Sequence, residues 1–83
     1  MVDALRLKFT QNLDMLQELL NTGNKTLVEA SPTDKIWGVG LHEDDDRILN
    51  EANWDGENRL GKALMQVRAE LKKKIIQNAP SIN

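Results

Sequence analysis

The chain has 83 residues, no cysteine and a formal net charge of -2, which suits one small domain and excludes disulfide scaffolds and thiolate metal sites. The lack of a basic surplus argues against a nucleic-acid binder, and no apolar run approaches the ~20 residues of a membrane span. We therefore expect a single cytoplasmic domain over residues 1–83, with no membrane attachment.

The first predicted element is an amphipathic helix from about Asp3 to Leu20, with Asp3 placed to cap its start. Its apolar face recurs at spacings of four, four, three and four: Leu5, Phe9, Leu13, Leu16 and Leu20. Gly23 follows in a polar stretch and suits the left-handed position that ends a helix.

The middle of the chain has few apolar positions and mixed signals. Residues Thr26–Ala30 favour a short strand, and Ser31–Asp34 have the composition of a turn. The apolar run Ile36–Gly40 indicates either a second short strand with a bend or a close backbone approach, because its two glycines are spaced by two. We expect an α+β fold, mainly helical, with one or two short strands.

An acidic run, Glu43–Asp46, precedes Arg47–Leu49 and predicts a short helix capped by carboxylates. A metal site is the alternative, but the run lacks the glycine turn and the distant glutamate of a calcium loop. His42 has no second ligand nearby in the sequence and is interpreted as a loop residue. We expect no bound metal.

The second long helix is predicted from about Asn58 to Gln77, followed by a frayed tail over residues 78–83. Its apolar stripe is Leu60, Leu64, Val67, Leu71 and Ile75. Gly61 costs a helix about 1 kcal/mol relative to alanine, which indicates close packing or ligand approach there. The two striped helices need a third layer to cover them, and the chain supplies no obvious one.

Two motifs occur together in this chain. The first is Leu27-Val28-Glu29-Ala30-Ser31, two residues, Asp34, two residues, then Trp37-Gly38-Val39-Gly40; the second is Asn58-x-Leu60-Gly61-x-x-Leu64-Met65-x-x-Arg68. In both, and from near Ala4 to about Leu71, the chain resembles the YbiA-like, or NADAR, family. The resemblance covers the C-terminal half of the family's domain and therefore implies a partial YbiA-like fold.

The earlier part of the family's domain carries Ser-Asn-Phe-Tyr-like and Ser-Glu-His-Tyr-like motifs, and the glutamate of the latter is regarded as catalytic. Neither motif occurs in these 83 residues. The resemblance implies hydrolysis of N-glycosidic bonds, either between a base and ribose phosphate in riboflavin-pathway intermediates or between ADP-ribose and a guanine base. It implies no cofactor. We expect the chain to need a complementing N-terminal half and to be inactive alone.

The resemblance implies six site residues. Glu29 and Asp34 are the catalytic candidates, because carboxylates can stabilise the cationic ribose or take a proton from water. The substrate-binding candidates are Trp37, Gly38, Asn58 and Gly61. Trp37 offers a stacking face for a base, and Gly38 lets backbone N–H groups approach a phosphate. Asn58 and Gly61 stand at the beginning of a helix whose N-terminus favours a phosphate.

Each candidate also has a structural alternative. Glu29 can end a strand, and Asp34 can accept backbone N–H bonds at the turn. Trp37 is expected to belong to the core with one face in the pocket. Asn58 can be a helix cap, and the glycines can serve packing alone. Arg68 can contact a phosphate but is more typically a solvated or paired surface arginine.

The lysine run Lys72–Lys74 suits the C-terminal end of a helix dipole, with nucleic-acid binding a weaker alternative. A rival for the whole chain is a non-catalytic module that binds ADP-ribose or another nucleotide, or a partner protein, and uses its apolar stripes to form a homodimer. The expected ligand under either hypothesis is a nucleotide-like small molecule.

Overall fold

The structure, a computed structural model, describes residues 1–78. Three helices account for most of its regular structure: α1 spans Val2–Gln11, α2 spans Leu13–Asn21 and α3 spans Arg59–Asn78. Two short 3-10 helices, Asp46–Leu49 and Glu51–Asn53, lie between α2 and α3. The mainly helical architecture predicted from the sequence is confirmed. The predicted frayed tail lies, from residue 79 on, outside the described residues.

The single helix predicted over residues 3–20 is wrong, because the structure divides it at Asn12. Asn12 adopts an extended backbone (φ -134°, ψ 98°), and its side-chain oxygen accepts a hydrogen bond from the Met15 N–H at 3.1 Å. This is the geometry of a helix N-cap. Asp3 does not cap α1 with its side chain; it lies in the first turn and pairs with Arg6.

The main hydrophobic cluster lies where the three helices meet and consists of Phe9, Leu19, Val67 and Leu71. Val39, Leu41 and Ala63 are buried as well. The break at Asn12 rotates α2 relative to the predicted stripe, so that Leu19 is buried while Leu13 is 75% exposed. A bidentate pair between Arg6 of α1 and Glu70 of α3, at 2.6 and 3.0 Å, fixes the two helices beside the core. These contacts make one layer of helices around a small apolar centre.

The predicted short strands are not seen among residues 1–78. The segment 25–31 has no partner strand, because its backbone groups bond to other features. The Glu29 N–H and the Leu27 carbonyl bond to the side chain of Asn58, each at 2.9 Å, and the Glu29 carbonyl accepts from the Val39 N–H at 3.0 Å. One ladder-like bond does not make a sheet.

Other local predictions are confirmed. Gly23 has φ +61° just after α2, as a left-handed helix end requires. Asp45 caps the first 3-10 helix by accepting from the Arg47 N–H. Within residues 1–78, no helix combines the length and the apolar character that crossing a bilayer requires.

Candidate functional site

Two segments between and next to the helices form one connected assembly, residues 27–41 and 54–61, which we call the loop junction. Five inter-segment hydrogen bonds between backbone groups hold its two parts together. They run from Asp55, Glu57, Asn58, Arg59 and Leu60 N–H to the carbonyls of Val39, Lys35, Gly38, Ile36 and Trp37, in that order, at 2.8–3.1 Å. The paired glycines and the segment before α3 therefore meet over most of their lengths.

Asn58 is the centre of the loop junction. It is fully buried, and its φ of +52° makes it the non-glycine residue with a left-handed backbone in the part of the chain that the structure describes. Its side-chain oxygen accepts from the Glu29 N–H and its amide donates to the Leu27 carbonyl. Asparagine tolerates this backbone better than most residues. Asn58 thus fastens the extended segment 27–29 to the start of α3.

Gly61 lies directly beneath that contact, in the first turn of α3. A Cβ on Gly61 would overlap the Leu27 carbonyl oxygen and both side-chain heteroatoms of Asn58, one of them at 2.6 Å. Gly61 is buried, and its missing side chain is what lets the Asn58 amide reach across. The expectation of close packing at this glycine is confirmed by its surroundings.

Asp34 organises the turn that carries Trp37. Its Oδ1 accepts from the Ile36 N–H at 3.0 Å and from the Trp37 N–H at 2.9 Å. Gly38 follows, and a Cβ there would meet the Glu29 carbonyl at 2.8 Å and the Asp34 carbonyl at 2.9 Å. The Trp37 side chain remains 40% exposed, so it is a surface ring on a constrained backbone and does not belong to the core.

The N-terminus of α3 is already engaged by the protein. The N–H groups of Asn58, Arg59 and Leu60 donate to loop carbonyls, as described above, and the Lys62 N–H donates to the Asn58 carbonyl at 3.0 Å. A phosphate at this helix end must compete with the carbonyls that already hold the Arg59 and Leu60 N–H groups. The substrate-binding roles of Asn58 and Gly61 stay predictions.

Glu29 lies beside a cleft, the Glu29 cleft, of about 300 Å³ between α2, segment 27–29 and α3. Its walls are mostly apolar, with Phe9, Leu19, Leu27 and Leu64 among the lining residues. Glu18 of α2 also lines it, so two carboxylate-bearing residues border one apolar cleft. The Glu29 side chain is exposed and has no hydrogen bond or ion pair within residues 1–78. A carboxylate without a protein partner at an apolar cleft can accept a hydrogen bond from a ribose hydroxyl, or can accept a proton.

The structure connects all six predicted site residues, although they are up to 32 residues apart. Glu29 contacts Asn58 directly, Asn58 contacts Gly61, and the carbonyls of Glu29 and Asp34 both lie against Gly38. The connection runs through backbone atoms, and of the six only Glu29 lines the Glu29 cleft.

Sequence reasoning missed Glu18 and Gly56. Glu18 lies on a helix whose register the break at Asn12 changed, so its position beside the cleft was hidden. A Cβ on Gly56 would meet the Gly38 carbonyl at 2.5 Å and the Lys35 Cα at 2.8 Å. The spacing of glycines that singled out Gly38 and Gly40 had no counterpart around Gly56, which stands between two acidic residues.

The acidic run does not gather ligands. Among the described residues no three His, Asp or Glu side chains converge as a metal site requires. Arg47 hydrogen-bonds to Asp45 at 2.7 Å and lowers the pKa of that carboxyl to about 2. His42 lies against its neighbour Asp44, whose N–H donates to the imidazole Nδ1 at 3.2 Å. The run therefore closes a 3-10 turn on the surface.

Comparison with known proteins gives the family. Residues 1–72 match the model of the NADAR domain. An N-glycosidase of Acanthamoeba polyphaga mimivirus is 57% identical over 65 residues, which are 78% of this chain and 38% of that protein. The N-glycosidase YbiA of Escherichia coli is 38% identical over 68 residues, 82% of this chain and 36% of that protein.

A plant protein extends the comparison. The chloroplastic riboflavin biosynthesis protein PYRR of Zea mays is 37% identical over 71 residues, 86% of this chain and 10% of that protein. The chain thus spans less than two fifths of the length of each of these relatives. No solved structure matches the chain.

Proposed function

The chain belongs to the NADAR family, and from that premise we propose that it forms part of the pocket of an N-glycosidase. The substrate class proposed is a base joined to ribose phosphate, as in riboflavin-pathway intermediates, or a base carrying ADP-ribose. The names of the relatives support the reaction type: two are called N-glycosidases and one a riboflavin biosynthesis protein.

The observation that carries the proposal is Glu29, an exposed residue that lines an apolar cleft and whose carboxylate has no hydrogen bond or ion pair within residues 1–78. Breaking a C–N glycosidic bond develops positive charge on the ribose ring, which a nearby carboxylate stabilises. The same cleft supplies apolar walls for a flat base. Asp34 is proposed to act through its second oxygen, since Oδ1 is held by two backbone N–H groups.

We propose further that the pocket is incomplete in these 83 residues. The Ser-Glu-His-Tyr-like segment is not among them, and the chain spans 38% of its mimivirus relative. A complementing N-terminal segment, in the same polypeptide or as a separate chain, is the proposed partner. It supplies the glutamate that the resemblance assigns to catalysis and covers apolar surface on the helices.

The test is a complementation assay for ribose 5-phosphate release from a pyrimidine ribotide. The 83-residue chain is assayed alone and together with the N-terminal segment of the Escherichia coli relative, joined by a flexible linker. We expect no release from the chain alone and measurable turnover from the joined protein. Release by the chain alone would refute the claim that the pocket is incomplete.

Two substitutions in the joined protein test the roles of the carboxylates. Glu29→Gln and Asp34→Asn remove charge while keeping a side-chain oxygen in place, and each should lower kcat by about 100-fold or more. Glu57→Gln is the matched control, because Glu57 is an exposed carboxylate paired with Arg59. An unchanged kcat in either site variant removes that residue from the mechanism.

A second candidate, a non-catalytic nucleotide-binding or protein-interaction module that forms a homodimer, is favoured by the exposed apolar side chains. Leu7, Leu13 and Leu49 are 59%, 75% and 85% exposed and are therefore available for contact with a partner. Light scattering and an ADP-ribose titration discriminate the candidates. A symmetric dimer that binds ADP-ribose saturably, with no turnover even after complementation, supports the module and contradicts the enzyme.

A further inference from the structure

Arg68 on α3 does not behave as the surface residue that the sequence typically indicates. Its side chain is 8% exposed, and its Nη1 donates to the Thr22 hydroxyl at 2.8 Å. The expectation of a solvated or carboxylate-paired arginine is therefore wrong for this residue. Burying a guanidinium is costly unless its charge is compensated, so the surroundings of Arg68 need an explanation.

The other three arginines of the chain each have a carboxylate partner. Those pairs are Arg6 with Glu70, Arg47 with Asp45, and Arg59 with Glu57. Arg68 has no such pair within residues 1–78, although acidic residues outnumber basic ones in the chain. No buried side-chain nitrogen or oxygen in that range lacks a hydrogen-bond partner, so the remaining guanidinium nitrogens of Arg68 reach solvent.

Arg68 lines a cleft of about 480 Å³, which we call the Arg68 cleft. It is lined by Gly23, Asn24, Met65, Arg68, Ala69, Lys72 and Lys73. Three lining side chains are cationic and none is acidic, while Met65 and Ala69 provide apolar surface. Its volume lies in the range of pockets that hold small organic ligands, and it exceeds what a phosphate alone occupies.

A purely structural reading accounts for only part of this cleft. Thr22 lies at the C-terminal end of α2, where a cation such as Arg68 is favourable. The dipole explanation expected for Lys72 and Lys73 does not hold, because α3 continues to Asn78 and its last turn lies beyond them. Two exposed lysines and a buried arginine at one cleft thus remain without an ion-pair partner in the described part of the chain, residues 1–78.

We propose that the Arg68 cleft binds the phosphate group of a nucleotide-sized phosphate ester. Arg68 offers a planar fork of donors that matches two phosphate oxygens, and the lysines add charge at the rim. Met65 and Ala69 contact the organic part of the ligand. The cleft shares no lining residue with the Glu29 cleft, although Thr22, which binds Arg68, lines the latter. The proposal concerns binding, so it stands or falls independently of bond cleavage.

The test titrates the 83-residue chain with adenosine 5′-monophosphate, adenosine and inorganic phosphate at matched ionic strength, followed by NMR chemical shifts. We expect saturable binding of the monophosphate, with shifts at Gly23, Asn24 and Arg68, and at least about tenfold weaker binding of adenosine. Inorganic phosphate that binds as tightly as the monophosphate overturns the organic part of the proposal. Failure of the monophosphate to saturate overturns the whole.

Matched charge variants separate a built site from general attraction. Lys72→Ala/Lys73→Ala should weaken monophosphate binding about tenfold. Lys8→Ala/Lys62→Ala removes the same charge from positions that do not line the cleft and should leave affinity within about twofold in moderate salt, where charges outside the site are screened. Equal losses in the two double variants overturn the proposal. Arg68→Lys, checked for folding by circular dichroism, should lose binding despite keeping its charge, since the fork is gone.

Discussion

On the helical side of the molecule, α1, α2 and α3 meet through the side chains of Phe9, Leu19, Val67 and Leu71. The loop junction buries the side chains of Val39 and Leu41, but backbone hydrogen bonds and close contacts at glycines and Asn58 join its two segments. A core of apolar side chains accepts other side chains of similar volume. Backbone packed on backbone leaves no room for an added atom, so the junction should be far less tolerant of substitution.

The largest loss of stability should come from Gly61→Ala. Helix propensity favours alanine by about 1 kcal/mol, yet the new Cβ overlaps Leu27 and Asn58. We expect a loss of about 3 kcal/mol or more in the free energy of unfolding, measured by urea titration. The steric overlap, and not helix propensity, then decides the sign of the change in the free energy of unfolding.

Two control variants sharpen that result. Gly23→Ala has nothing within 4 Å of its new Cβ and should lose only about 1 kcal/mol, through its positive φ. Leu71→Met in the helical core conserves volume and should lose less than about 1.5 kcal/mol. A Gly61→Ala protein as stable as the parent would contradict the proposed difference between the two regions.

Asn58→Ala should have the next largest effect, about 2–3 kcal/mol, because two hydrogen bonds are lost and the left-handed backbone is strained. Asn58→Gly separates the two causes: it relieves the backbone but not the lost bonds, and should recover about 1 kcal/mol. Urea titration of both variants measures this. Identical stabilities would mean that the φ of +52° carries no strain.

Asp34→Ala should cost about 1 kcal/mol, since it removes the acceptor of two backbone N–H groups at an exposed turn. Asp34→Asn keeps that acceptor and should be close to neutral. Hydrogen exchange of the Ile36 and Trp37 amides is the direct readout, and both should exchange faster in the alanine variant only. Equal protection in all three proteins would show that the carboxylate does not hold this turn.

The smallest effect concerns Arg6–Glu70 on the helical side. The hydrogen bond from Arg6 lowers the pKa of Glu70 to about 2 from an ordinary 4.5. A depressed folded-state pKa means that the pair stabilises the protein above about pH 4.5 and loses that stabilisation as pH falls toward 2. The difference in Tm between the parent and Glu70→Gln should therefore shrink over this window. Glu57→Gln, on the other side of the molecule, serves as control.

The helical side could be predicted from the sequence largely because its signal is local. Apolar spacing located α3 to within one residue at each end, and it located the α1–α2 region. It did not reveal the break, because the spacing continues through Asn12 as if the helix did. An asparagine at that point is a cap signal, but only its backbone conformation decides whether it is used.

The sequence motifs indicate which residues of the loop junction matter, but they do not predict how these residues contact one another. The motifs predict that Glu29, Gly38 and Asn58 are substrate-contacting or catalytic residues. They do not predict the contacts among these three, which span up to 29 residues of sequence and involve main-chain atoms. No period or spacing encodes such a contact. The burial of Arg68 was hidden for the same reason, since it depends on where α2 ends.

One bond in the loop junction also governs how the protein can change in length. The Asp55 N–H donates to the Val39 carbonyl at 3.0 Å and so brings together the two ends of an exposed excursion over residues 42–53. Closing a loop that is already pinned costs little more when it grows, about 0.6 kcal/mol for each doubling. This excursion is where insertions, affinity tags or new termini can be accepted. The glycines on either side of it, in contrast, must both be retained.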